Sequence, residues 1–109
     1  MLGSIEKAIT ERVVKTALDC GYLVGVDSQD GTELDPCTHI NEVLNTCFNY
    51  DDVVLVLDNC YNQSKPYGRI LFVFDNDGIE IISDYSISLN EFIQTLSFKG
   101  LVIDLEGIL

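Results

Sequence analysis

From Thr16 to Ser64 the chain has neither lysine nor arginine, and a second base-free stretch runs from Ile70 to Phe98. The first holds nine carboxylates: Asp19, Asp27, Asp30, Glu33, Asp35, Glu42, Asp51, Asp52 and Asp58. The second adds Asp75, Asp77, Glu80, Asp84 and Glu91. With six bases against 18 acids the formal net charge is -12, too few cations to neutralise phosphates, so direct nucleic-acid binding is excluded and basic partners are favoured.

Other absences narrow the field further. No stretch approaches the roughly 20 apolar residues that span a bilayer, and the first ten residues lack a basic region followed by an apolar core, so a cytoplasmic protein is expected. The four cysteines, Cys20, Cys37, Cys47 and Cys60, form no C-x-x-C pair, and His39 is the one histidine. Zinc is therefore not expected, and buried thiols are the better reading than a disulfide framework. Scattered glycines form no phosphate loop, since Gly68 precedes a strand and not a helix.

Two loops contain calcium-like acids, Asp27-Ser28-Gln29-Asp30-Gly31 and Asp75-Asn76-Asp77-Gly78. Counting back from the obligatory glycine puts Val26 or Val73 where the first carboxylate is required, so both read as turns. His39 has no nucleophile placed for it. The paired acids Asp51-Asp52 and Asp75-Asp77 are expected by chance in so acidic a chain, so no catalytic residue and no cofactor are assigned.

A hydrophobic content of 47% rules out a disordered acidic tail, which needs low hydrophobicity along with its charge. The length of 109 residues suits a single domain. Ser4 to Cys20 reads as an amphipathic helix with Ile5, Ala8, Ile9, Val13, Ala17 and Cys20 on its buried stripe and Gly21 as terminator. Tyr22 to Asp27 is a strand and Ser28 to Gly31 a turn. Asp35-Pro36 predicts a helix start, with Asp35 as N-cap and Pro36 at the first helical position, and places Cys37, Ile40, Leu44, Cys47 and Phe48 on one inward face.

Val53 to Leu57 is an aliphatic run read as a strand buried on both faces or nearly so. Arg69 to Asn76 and Ile79 to Tyr85 flank Asp77-Gly78, the signature of a tight hairpin turn. The implied register pairs Ile70 with Tyr85, Leu71 with Asp84, Phe72 with Ser83 and Phe74 with Ile81. It also sets Asp75 against Glu80, a like-charge pair that costs stability. Ser88 to Glu91 reads as a capping box with an Ile87 and Phe92 staple. Leu101 to Leu105 is a further candidate strand, and the apolar end Gly107-Ile108-Leu109 implies docking or an interface, a homodimer included. The expected fold is α+β, an antiparallel sheet of about four strands with two or three helices on one face.

The segment from Gly68 through Phe72-Val73-Phe74-Asp75-Asn76-Asp77-Gly78 to Ile82-Ser83-Asp84-Tyr85 resembles a pattern in small uncharacterised acidic proteins of phages and prophages. Ala17-Leu18, Gly21-Tyr22, Val26 and Asp30-Gly31 resemble the same family's first half. Here Asp75 replaces the family's usual glycine. The resemblance implies a phage-linked origin and action in the host cytosol, and it brings no site residues.

Together these readings point to a non-enzymatic counter-defence protein, an anti-CRISPR or anti-restriction inhibitor whose acidic surface occupies a basic nucleic-acid channel of a host nuclease or CRISPR effector. The alternative is an accessory or immunity-like module that binds one basic protein through an acidic and aromatic face, anchored by Tyr50, Tyr61 or Tyr67. With Asp35 assigned to a cap and Asp30 to a turn, the candidates for partner binding are Glu33, Glu42, Asp51, Asp52, Asp58, Asp75, Asp77 and Glu80.

Overall fold

The computed structural model describes residues 4–59, 66–74 and 81–96. Helix α1 (Ser4–Asp19) leads into strands β1 (Leu23–Ser28) and β2 (Gly31–Cys37), then α2 (Ile40–Cys47). Strands β3 (Asp52–Asp58), β4 (Gly68–Val73) and β5 (Ile82–Tyr85) follow, then a 3₁₀ turn (Ile87–Leu89) and α3 (Asn90–Leu96). The strands form one antiparallel sheet in the order β2-β1-β3-β4-β5. The α+β expectation holds, with five strands among the described residues where about four were expected.

One apolar cluster joins all three helices to one face of the sheet. Its sheet members are Val24 and Val26 of β1, Val53, Leu55 and Leu57 of β3, and Ile70 and Phe72 of β4. These positions alternate along each strand and align across the ladders, Val26 with Leu55 and Leu55 with Ile70, so register gathers them onto one side. Helix α1 packs on both α2 and β1, which broadens its buried face beyond the expected stripe. Val14, Thr10 and Thr16 are buried, whereas Ala8 is exposed and Cys20 half-buried; the side chain of Ile5 lies outside the described residues. The buried Thr10 hydroxyl donates to the Glu6 carbonyl at 2.8 Å, which removes the cost of burying it.

The end of α1 follows from Gly21. At φ +94° it lets its own N–H reach Leu18 O at 3.0 Å and the Tyr22 N–H reach Ala17 O at 3.1 Å, the paired bonds of a Schellman ending. Tyr22 then enters the core, meets Phe92 edge-on at 5.9 Å and donates its hydroxyl to Pro66 O at 2.7 Å.

Three local expectations change. Asp35-Pro36 starts no helix. Both residues lie in β2, and α2 begins after His39 with no side-chain cap. Proline lacks the N–H a ladder needs, so it is tolerated on an edge strand or at a bulge, and β2 supplies both: three steps from Leu34 to Cys37 oppose two from Val26 to Val24. Cys37 is consequently a half-buried strand residue, while Cys47 is fully buried on α2 as expected.

The β4–β5 register keeps Ile70 with Tyr85 and Leu71 with Asp84, but a bulge then sets Phe72 opposite Ile82 in place of Ser83. The slip puts an apolar residue beside the core where a serine would have stood. The 88–91 capping box gives way to the 3₁₀ turn: the Ser88 hydroxyl donates to Tyr67 O at 2.7 Å, and Ile87 is 91% exposed and staples nothing. Strand β3 is nearly buried on both faces, as expected: Val53, Leu55 and Leu57 on the inner face, and on the outer face Val56 buried and Val54 half-buried. The Asp77-Gly78 turn and the 101–105 strand lie outside the described residues.

Candidate functional site

The Ser28–Gly31 turn and the Tyr50–Asp52 segment meet at one end of the sheet because β1 runs antiparallel to β3, pairing Asp27 with Val54. Gly31 at φ +119° and a bond from the Asp30 N–H to Ser28 Oγ at 3.1 Å hold the turn. Gln29 Nε2 donates to Asp52 Oδ2 at 3.2 Å, tying turn to strand. Ser28, Gln29, Asp30, Tyr50, Asp51 and Asp52 line a shallow depression of about 280 Å³ with no base among them.

Glu33 stands beside this depression. Its Oε2 accepts from Ser28 Oγ at 2.6 Å. That bond, then one from the Tyr50 hydroxyl, holds its carboxyl below the usual value. Tyr50 is displaced upward, first by this hydrogen bond to Glu33, then by desolvation and by the charges of Glu33 and Asp30. The two shifts move both titrations further from neutral pH, the reverse of what a general acid or base requires. The phenol stays protonated and the carboxylate ionised, so the site presents fixed negative charge around an aromatic hydroxyl. Among the described residues no group of three His, Cys, Asp or Glu is arranged to hold a metal ion.

Of the eight predicted binding residues, the fold gathers Glu33, Asp51 and Asp52. Glu42 is exposed on the first turn of α2. Asp58 closes the opposite end of β3 from Asp52, roughly 20 Å away at the rise of an extended strand. Asp75, Asp77 and Glu80 lie outside the described residues. Sequence reasoning set Asp30 aside as a turn residue and passed over Ser28 and Gln29. The missing signal was β2: a hairpin through this turn would have brought all three beside Asp52.

The sheet's other face carries no helix among the described residues. Asp27, Val54, Leu71 and Asp84 are successive cross-strand partners over four strands. Two further depressions share Val54 and Leu71. One, of about 230 Å³, opens toward Asp27, Gln29 and Asp52, and the other, of about 240 Å³, toward Arg69, Asp84 and Ser86. Arg69 crosses β3 to bind Asp27, Nη2 to Oδ2 at 2.6 Å. On the far side the β2 bulge folds over Gly25, where an added Cβ would stand 3.0 Å from both Leu34 O and Pro36 N.

The chain matches no family model, no curated protein and no solved structure.

Proposed function

We propose that the chain is a non-enzymatic binding module that sets its acidic end against a basic, nucleic-acid-binding surface of a partner protein. In this reading it acts as a phage-type counter-defence inhibitor of a host nuclease or CRISPR effector. The observation that carries it is the gathering of Asp30, Glu33, Asp51 and Asp52 around Tyr50 with no base lining the depression. Such a surface raises the local concentration of cationic partners and speeds their encounter.

The test is capture of basic proteins from host lysate at low and moderate salt, followed by competition with duplex DNA. Glu33→Gln/Asp51→Asn/Asp52→Asn should lose the captured partner, and Glu42→Gln/Asp58→Asn should keep it. Partners that retain their nucleic acid while bound would sink the inhibitory reading.

Tyr50 favours a second reading, a focused interface with one basic protein, because a rigid aromatic among charges is a common interface anchor. Charge mimicry spreads the loss over many acids and depends steeply on salt. A focused interface instead concentrates the loss in Tyr50 and a few neighbours.

A further inference from the structure

We infer that the helix-free face of the sheet is a second binding element, a trough that receives an amphipathic helix of the partner with an apolar stripe flanked by lysine or arginine. This deepens the reading of a basic partner and rests on it.

The trough has a floor and two walls. Val54 and Leu71 form the floor and are only half-buried. The β2 bulge at Leu34–Pro36 rises over Gly25 on one side, and Asp84 and Ser86 stand on the other. From β1 to β5 is three strand spacings, about 14 Å, and an α-helix with its side chains is about 10–12 Å across. The open part of the floor is the Val54 end of β3: Val56 on the same face is buried, and the Arg69 side chain, which starts beside Val56, crosses β3 to Asp27, so an occupant rests on Val54 and Leu71 and against the Arg69 side chain.

The charge of the rim selects the occupant. Asp27, Asp52 and Asp84 line the two depressions, and the one base among their lining residues, Arg69, is already bound to Asp27. A second copy of this chain would bring its own charge of -12 against that rim, which opposes self-association. Cationic flanks answer the carboxylates, and an apolar stripe answers Val54 and Leu71. This is the helix-in-groove mode of recognition. At the Ser86 end the next residue is Ile87, 91% exposed, an apolar side chain placed to extend the contact.

The experiment uses the full chain and two synthetic helical peptides of identical composition. One carries leucines at helical spacing between lysine flanks, and the other has the leucines scrambled off that face. The expected result is about tenfold tighter binding of the in-phase peptide, with methyl chemical-shift changes at Val54 and Leu71, and a comparable loss in Val54→Thr/Leu71→Thr. Threonine is β-branched and suits a strand position. Should that variant fail to fold, Ile87→Ser, which gives up almost no burial, is expected to weaken the in-phase peptide by about threefold.

Equal affinity for both peptides, or shift changes confined to Tyr50 and Asp51, would overturn the trough and leave the acidic-end reading standing. Equal affinity for an in-phase peptide with glutamine in place of lysine would sink both. Dimerisation of the free protein through Val54 and Leu71, or contacts from those methyls to another part of the same chain, would also overturn the trough.

Discussion

Arg69 of β4 reaches over β3 to Asp27 of β1, closing a 2.6 Å ion pair between strands that are not neighbours in the sheet. The arginine side chain is 48% exposed and the aspartate 18%, so water and salt screen the pair. Arg69→Ala should cost only about 0.2–1 kcal/mol of stability, and less at high salt. Urea unfolding at two ionic strengths checks both the size and the trend. A loss of several kcal/mol that ignores salt would show that the guanidinium packs as a structural strap.

Two glycines are fixed by close approach. At Gly25 a methyl meets the backbone of Leu34 and Pro36, and at Gly68 it lands on the side chain of Leu89. Gly25→Ala and Gly68→Ala should each destabilise by about 1–3 kcal/mol, the usual cost of overpacking. The obstacles differ in kind, so the rescues differ. Leu89→Ala should relieve Gly68→Ala, making the double variant more stable than the summed single losses imply. It should do nothing for Gly25→Ala. Denaturant midpoints of the five variants decide this.

Burial pushes the Cys47 thiol up to about 12 from 9.0. Between those values the unfolded chain gives up a proton that the folded chain keeps, so stability is full below the unfolded value and falls as pH rises. The slope approaches about 1.4 kcal/mol per pH unit for one such group. Tyr22, raised chiefly by burial, and Tyr50, raised chiefly by its bond to Glu33, act in the same direction above their ordinary range. Urea midpoints measured from about pH 8 to about pH 11 should decline, and Cys47→Ala should flatten the first part of the decline. Alkylation at mild pH should modify Cys20 and Cys37 ahead of Cys47.

The Glu33 carboxyl is lowered first by Ser28 and then by Tyr50. Ser28→Ala should therefore return its titration toward the ordinary value by more than Tyr50→Phe does, as followed by carbon NMR of the side-chain carboxyl. The native bonds contribute stability above the unfolded value, and that contribution is lost as pH falls through the folded one. Equal effects from the two variants would mean that the Ser28 bond is not the stronger partner.

Much of this fold was legible because burial imposes periodicity. Helix α1, strands β1 and β3, and the pairing of Ile70 with Tyr85 follow from apolar spacing and turn residues. Strand β2 did not, since an edge strand with Thr32, Glu33 and Asp35 exposed has no buried alternation to betray it, and Asp35-Pro36 imitates a helix start. Missing β2 also hid the site: Glu33 and Asp30 meet Asp52 only through the β1–β2 hairpin. The trough was hidden for another reason. Val53 to Leu57 reads as one apolar run, and only the sheet register separates Leu55, which faces the helices, from Val54, which does not.

The bulge at Asp35-Pro36 has a consequence for how another chain can approach. Among the described residues strand β2 is an outer strand of the sheet, and there Pro36 offers no N–H while Glu33 and Asp35 meet an incoming backbone with charge. Proline, bulges and charged residues are the devices by which edge strands refuse extra strands. Along this margin the sheet is closed to sideways extension, so the protein can crowd at high concentration without stacking into ribbons, and a visitor from that side has to land from above.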